Sequence, residues 1–204
     1  MPTDCEKKGR RRNRLWRMLR NSDGATAIEF AILAIPFTLL TFAIFETFVA
    51  FAAEEVLANG VENLSRQIRT GQITFGQGKT TDLTEAEFRQ AVCDQISVMI
   101  TCSDTEAATP QRLYVDVRQY ASFAAMPRAI PRVANSPTAD LDTTGFAFAP
   151  GGAKTINMVR IYYRWQIMTD FMRPYITNIR PADGSLPTDY LIISTATIQN
   201  EDYK

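Results

Sequence analysis

From Ala25 to Phe45 the chain carries 21 residues with one charged side chain, Glu29. In helical form, at ~1.5 Å rise per residue, such a run extends ~30 Å, the thickness of a bilayer's hydrocarbon core. A cleaved secretory signal is the rival reading, but its apolar stretch is shorter and ends at a small-residue cleavage site. Here the apolar character runs on to Ala53, interrupted only by Glu46. The sequence therefore predicts a retained transmembrane helix over residues 25–53.

The flanks orient that helix. Residues 1–23 hold eight basic side chains, Lys7 and Lys8 and then Arg10, Arg11, Arg12, Arg14, Arg17 and Arg20. Against three acids, Asp4, Glu6 and Asp23, they leave a net of +5, while the rest of the chain carries 14 basic and 19 acidic residues, a net of −5. Lys and Arg close to a span stay in the cytoplasm. Residues 1–24 are thus read as a basic cytoplasmic leader, and residues 54–204 as a domain on the far side. A nucleic-acid role is set aside, because a basic stretch abutting a span already has a sufficient purpose.

Glu29 costs a few kcal/mol inside the span unless it is paired or reaches the interface. It could simply lie near the cytoplasmic headgroups. It could also have a partner: cleavage after Gly24 would leave Ala25 with a protonated amine, four residues or one helical turn from Glu29.

Beyond the span, Leu57, Val61, Leu64 and Ile68 recur at helical spacing between polar residues. They predict an amphipathic continuation whose stripe docks on a sheet of the same chain or on a partner helix. Gly60 interrupts that pattern, and Arg69, Thr70 and Gly71 read as its stop. Residues 71–82 read as a polar loop. Its Gly76-Gln77-Gly78-Lys79-Thr80 stretch imitates a phosphate loop, but Ile73 stands where the first glycine is required and no apolar strand leads in. Thr84 and Glu87 form a capping box that opens a second helix, running to about Met99 with Phe88, Val92, Ile96 and Met99 on one face.

Three cysteines occur, Cys5 in the leader and Cys93 and Cys102 close together beyond the span. With no histidine in the chain, two thiols lack the further ligands a metal site needs, and their spacing is too wide for a redox Cys-x-x-Cys motif. In an oxidising compartment a structural Cys93–Cys102 disulfide is the favoured reading, closing a loop of ~10 residues and contributing roughly 2–3 kcal/mol.

Period-two alternation predicts three half-buried strands, starting at Leu113, Met158 and Tyr190, in an antiparallel sheet. Residues 124–153 read as a long loop, residues 170–189 as a second connection. The absence of histidine also removes the commonest general base. Paired acids such as Glu54/Glu55 and Glu85/Glu87 have no identifiable base or metal beside them and read as solvated helix faces. The chain is accordingly read as not an enzyme, with no catalytic residues, no metal, no cofactor and no small-molecule substrate or nucleic-acid partner.

Gly24 followed by Ala25, Thr26, Ala27, Ile28, Glu29 and Phe30, with basic residues before and an apolar helix after, resembles the type IV prepilin processing site, and within it the Flp and TadE-like branch of the tight-adherence (Tad) pilus system. Pro36 inside the span fits as well, since membrane helices tolerate proline. Further along, Arg69-Thr70-Gly71-Gln72, Phe88 with Val92-Cys93, Cys102, the segments Leu113–Phe123 and Val159–Trp165, and the final strand closing on Glu201 look like the TadE-like periplasmic region.

The resemblance implies a minor pseudopilin for pilus assembly and adhesion, cut by a prepilin peptidase between Gly24 and Ala25. Glu29 and Phe30 would guide assembly, and the partners would be the peptidase, other pilins and pseudopilins, and the bacterial inner membrane. The implied architecture is α+β: a long N-terminal transmembrane helix continuing into a pilin-like periplasmic domain with a short helix and a small antiparallel sheet. The alternative is an unprocessed, single-pass, membrane-anchored periplasmic structural or binding protein, in which Gly24 and Glu29 are incidental.

Overall fold

Helix α1 spans Ala25–Arg69 and stops where the sequence places its stop. The Gly71 N–H donates to the Ile68 carbonyl (3.1 Å) and the Gln72 N–H to the Gln67 carbonyl (2.9 Å), with Gly71 at φ +75°. These bonds form a Schellman motif, in which a left-handed residue turns the chain back onto the last free carbonyls. The computed structural model describes residues 25–181 and 183–203. The expected leader, 1–24, with Cys5 and Gly24, lies outside the described residues. The chain divides into two compact units, Met1–Phe45 and Glu46–Lys204.

In the first unit, residues 26–45 form an uninterrupted helical run with its large side chains in the open. Phe30 is 74% exposed, and Ile32, Leu33, Phe37 and Leu40 are similarly bare. Pro36 sits within this run without ending it. The helix is long and apolar enough to cross a membrane, and a helix apolar all round is the kind a bilayer accepts.

From Glu46 onward one face of α1 is covered. Ala53, Leu57, Val61, Leu64 and Ile68 are buried, as the stripe requires, while Glu55, Glu62 and Arg66 stay in solvent. The stripe docks on elements of its own chain. Helix α2, Glu85–Ile96, opens on the complete Thr84–Glu87 capping box and turns Phe88, Val92 and Ile96 inward. The tertiary structure also accounts for Gly60. It is buried, and a Cβ there would meet Gln95 Cβ and Ile96 Cγ2 at 3.3 Å, so the missing side chain lets α1 and α2 approach closely.

Strands β1 (Leu113–Tyr120), β2 (Phe148–Ala149), β3 (Ile156–Gln166) and β4 (Asp189–Gln199) form one sheet in the order β2-β1-β3-β4. The β1·β3 and β3·β4 pairs are antiparallel, with Leu113 opposite Tyr163 and Ile161 opposite Ser194. The sheet departs from the wholly antiparallel expectation at its edge, where β2 pairs parallel to β1 through Val117 and Phe148. That edge has a packing purpose. The Phe148 ring stacks on Phe88 at 4.6 Å, so β2 adds one aromatic to the core beside α2, and Phe75 meets that ring edge-on at 5.5 Å from the loop after α1.

The sheet is covered on both faces rather than one. Leu113, Val115, Val117, Val159, Ile161 and Tyr163 face α1 and α2. Tyr162 and Leu191 point the other way, into a second cluster with Leu141 and Ile179. The part of the 124–153 connection that precedes β2 lies against this second face, held by the arginines of β3. Arg160 is buried; its Nε donates to Thr195 Oγ1 (3.0 Å), Nη1 to the Ala129 carbonyl (3.1 Å) and Nη2 to the Pro127 carbonyl (2.8 Å). Arg164 pairs with Asp140 at 2.7 Å. Backbone carbonyls that would otherwise be stranded against an apolar sheet thus find charged donors.

The C-terminal tail returns to the end of α1. The Glu201 N–H donates to the Arg69 carbonyl (2.9 Å), the Glu201 side chain lies 3.5 Å from Arg69 Nε, and the Tyr203 ring lies against Gly71. A Cβ at residue 71 would come within 2.6 Å of that ring. Gly71→Ala should therefore destabilise the fold by about 1–3 kcal/mol, combining left-handed strain with displacement of the tail. In the Tyr203→Ala background the penalty should shrink, leaving the conformational part. Thermal unfolding of the detergent-solubilised full chain and its three variants measures this, and strictly additive losses would refute the shared contact.

Candidate assembly and membrane site

The first described turn of α1 holds residues that the sequence singles out: Ala25 is helical, and Glu29 stands one turn further on, with Phe30 beside it. Both side chains are exposed. Among the described residues, no ion pair engages Glu29. Gly24, the other half of the expected cleavage site, lies outside the described residues. Along the rest of the span, Thr41 Oγ1 donates to the Phe37 carbonyl at 2.8 Å, so this hydroxyl is satisfied inside its own helix.

Glu46, which reads in the sequence only as a break in the apolar run, has a definite place. Its Oε1 accepts from the N–H groups of Met168 (2.5 Å) and Thr169 (3.1 Å). It thereby ties the chain leaving β3 to α1. An acid at the edge of an otherwise apolar run was the available signal, and its partners lie more than a hundred residues away.

The cysteines pair as expected: Cys93 in α2 is bonded to Cys102, with 5.8 Å between Cα atoms. Just beyond, the buried Glu106 carboxylate accepts from the N–H groups of Gln111, Arg112 and Leu113 at 2.7–2.8 Å. One carboxylate thus anchors the chain as it enters β1. The acid pair on α2 is structurally engaged as well. Glu85 bonds the buried Arg89, whose Nη1 also donates to the Ala107 carbonyl, and Glu87 closes the capping box. Glu54 lies near Tyr190, whose hydroxyl is pushed above its usual value by burial first and then by that carboxylate.

The loop that imitates a phosphate site is already filled. Asp82 Oδ2 accepts from the N–H groups of Gln77 (2.8 Å), Gly78 (2.7 Å) and Lys79 (3.2 Å), and Thr74 Oγ1 donates to its Oδ1 at 2.5 Å. The donors that would cradle a phosphate converge on the chain's own carboxylate. The sequence signal was an acid three residues after the Gly-Lys pair.

The model of a family described as TadE-like protein matches residues 24–66, which cover Gly24, the span and most of the amphipathic half of α1. The match stops at Arg66. No curated protein and no solved structure matches the chain.

Asp82 offers a pH test. The Thr74 hydroxyl is the main cause holding its carboxyl below the ordinary value, assisted by the three amides against some desolvation. The unfolded chain titrates at the ordinary value, so the loop's stabilisation is complete above about pH 4 and is lost as pH falls through the lower folded-state value. In the micelle-solubilised full chain, the amide resonances of Gln77, Gly78 and Lys79 should hold steady from neutrality to about pH 4 and move only below it. Asp82→Asn should abolish that acid-dependent movement. Movement centred at an unshifted carboxyl value would contradict the assignment.

Proposed function

We propose, on the premise that residues 24–66 are a TadE-like segment consistent with a TadE-like protein of the Tad pilus system, that the chain acts as a minor pseudopilin in assembly of a Tad/Flp-type pilus. The observation that carries this reading is the helical run over 26–45, exposed and apolar on every side, with one charge, set one turn from Ala25. The basic leader holds the precursor in the bacterial inner membrane with its amino terminus in the cytoplasm and the folded unit in the periplasm. A prepilin peptidase cuts between Gly24 and Ala25, removing the +5 segment and creating an ammonium group.

In the low dielectric of the membrane, an unpaired carboxylate is costly, and an opposite charge within one turn relieves that cost. Glu29 pairs with the Ala25 amine of its own chain or of a neighbouring subunit, and Phe30 packs against that neighbour. The electrostatic term thereby favours one axial register between adjacent helices. The periplasmic unit then selects which pilins and pseudopilins fit beside it, in a compartment where the Cys93–Cys102 bond persists. Adhesion follows as a property of the assembled pilus.

The tests separate processing from assembly. The membrane-extracted protein should begin at Ala25 by N-terminal sequencing, and Gly24→Leu should retain the leader, read as a higher intact mass. Glu29→Gln should still be cleaved yet reduce surface pili severalfold by electron microscopy. Normal piliation in Glu29→Gln would sink the pairing mechanism. A wild-type protein that still begins at its leader would instead support the unprocessed membrane-anchored alternative.

A further inference from the structure

The connection between β3 and β4 exposes large apolar side chains although it is firmly held. Met168 is 88% exposed, Phe171 57% and Tyr175 76%. Three features fix the segment. Ile167 is fully buried, Glu46 takes the Met168 and Thr169 amides, and Arg173 Nε donates back to the Ile167 carbonyl at 3.2 Å. The short helix Arg173–Ile176 follows, and the Phe171 and Tyr175 rings lie 6.1 Å apart. On α1, Phe48 (68%) and Phe51 (61%) are exposed within two turns of Glu46. The two segments meet in a groove lined by Thr47, Ala50, Phe51, Tyr175, Ile176 and Tyr190.

Water is a poor medium for such a cluster. Contiguous apolar patches on a soluble surface mark a binding face. We infer that Phe48, Phe51, Met168, Phe171 and Tyr175 form a surface that rests in the headgroup layer of the bilayer.

The choice of a lipid surface over a protein partner follows from continuity and charge. Glu46 is the next charged residue after Glu29, so the patch begins directly after the 21-residue, ~30 Å run from Ala25 to Phe45. Tyr175 is the amphipathic aromatic that membrane interfaces favour, and Phe side chains are among those that interfacial helices turn into the bilayer. The two charges within the patch, Asp170 and Arg173, pair with each other, and the Glu46 carboxylate is bonded to amides rather than turned to bulk water. Val98, also strongly exposed (78%), makes a useful contrast. It lies just past Ile96, which contacts Gly60, fourteen residues or ~21 Å along α1 from Glu46.

This inference rests on the membrane anchoring proposed above, and one experiment separates the two. The full chain, in a Cys5→Ser background, is reconstituted in phosphatidylethanolamine/phosphatidylglycerol vesicles with nitroxide labels at Met168→Cys, Phe171→Cys, Tyr175→Cys, Phe37→Cys or Val98→Cys. Collision rates with oxygen, which partitions into lipid, and with a water-soluble nickel chelate are measured at each label. Labels at 168, 171 and 175 should show a severalfold lower nickel collision rate than the label at 98, with a higher oxygen rate. If they match the label at 98 while 37 is lipid-shielded, the anchor stands and the surface assignment fails. If they are shielded but show spin–spin broadening that grows with protein-to-lipid ratio, a second copy covers the patch and the lipid assignment is overturned. If 37 itself is water-accessible, the anchoring fails and the surface assignment with it.

Discussion

The fold from Glu46 onward depends on burying one stripe of α1. Ala53, Leu57, Val61, Leu64 and Ile68 cannot be covered by anything local, because a single helix has no second face to offer them. Helix α2 and one side of the sheet close over that stripe, and each contributes side chains at matching spacing. Burying side chains of this kind contributes roughly 1.5–3 kcal/mol apiece, which outweighs the propensity losses at Gly60 and at the polar positions between. The Gly60 gap, the Cys93–Cys102 bond and the Phe88–Phe148 stack all serve that closure. The tail folding back onto Gly71 seals its far end.

A second theme is the use of the chain's own carboxylates to organise irregular backbone. Asp82 gathers three loop amides, Glu106 gathers three more at the entry to β1, and Glu46 holds two at the exit from β3. Buried or half-buried N–H groups outside helices and strands need acceptors, and an ionised oxygen is a strong one. Arg160 does the complementary work for carbonyls on the second face of the sheet. These long connections keep a definite path without a regular ladder because charged side chains satisfy them.

Glu29 belongs to a different economy. Within the apolar run over 26–45 it has no engaged cation among the described residues. Glu46, the next acid along, is bonded to amides of its own chain. The contrast separates an acid bonded into the fold from the acid whose pairing with the Ala25 amine is the proposal above.

Much was legible from the residues alone, for a physical reason. The long apolar helix, its amphipathic continuation, the Gly71 stop, the Thr84 capping box and the strand alternation at Leu113, Met158 and Tyr190 are written in short-range periodicities, which helix and strand geometry impose within a few residues. The pairing of Cys93 with Cys102 was similarly local. Tertiary structure alone decided that Glu46 would hold Met168 and Thr169, that Tyr203 would cover Gly71, that Arg160 would pin Pro127 and Ala129, and that β2 would join the sheet in parallel. Those contacts join residues tens to more than a hundred positions apart, and no local pattern encodes which distant segment will arrive; that depends on how the whole chain closes over its apolar faces.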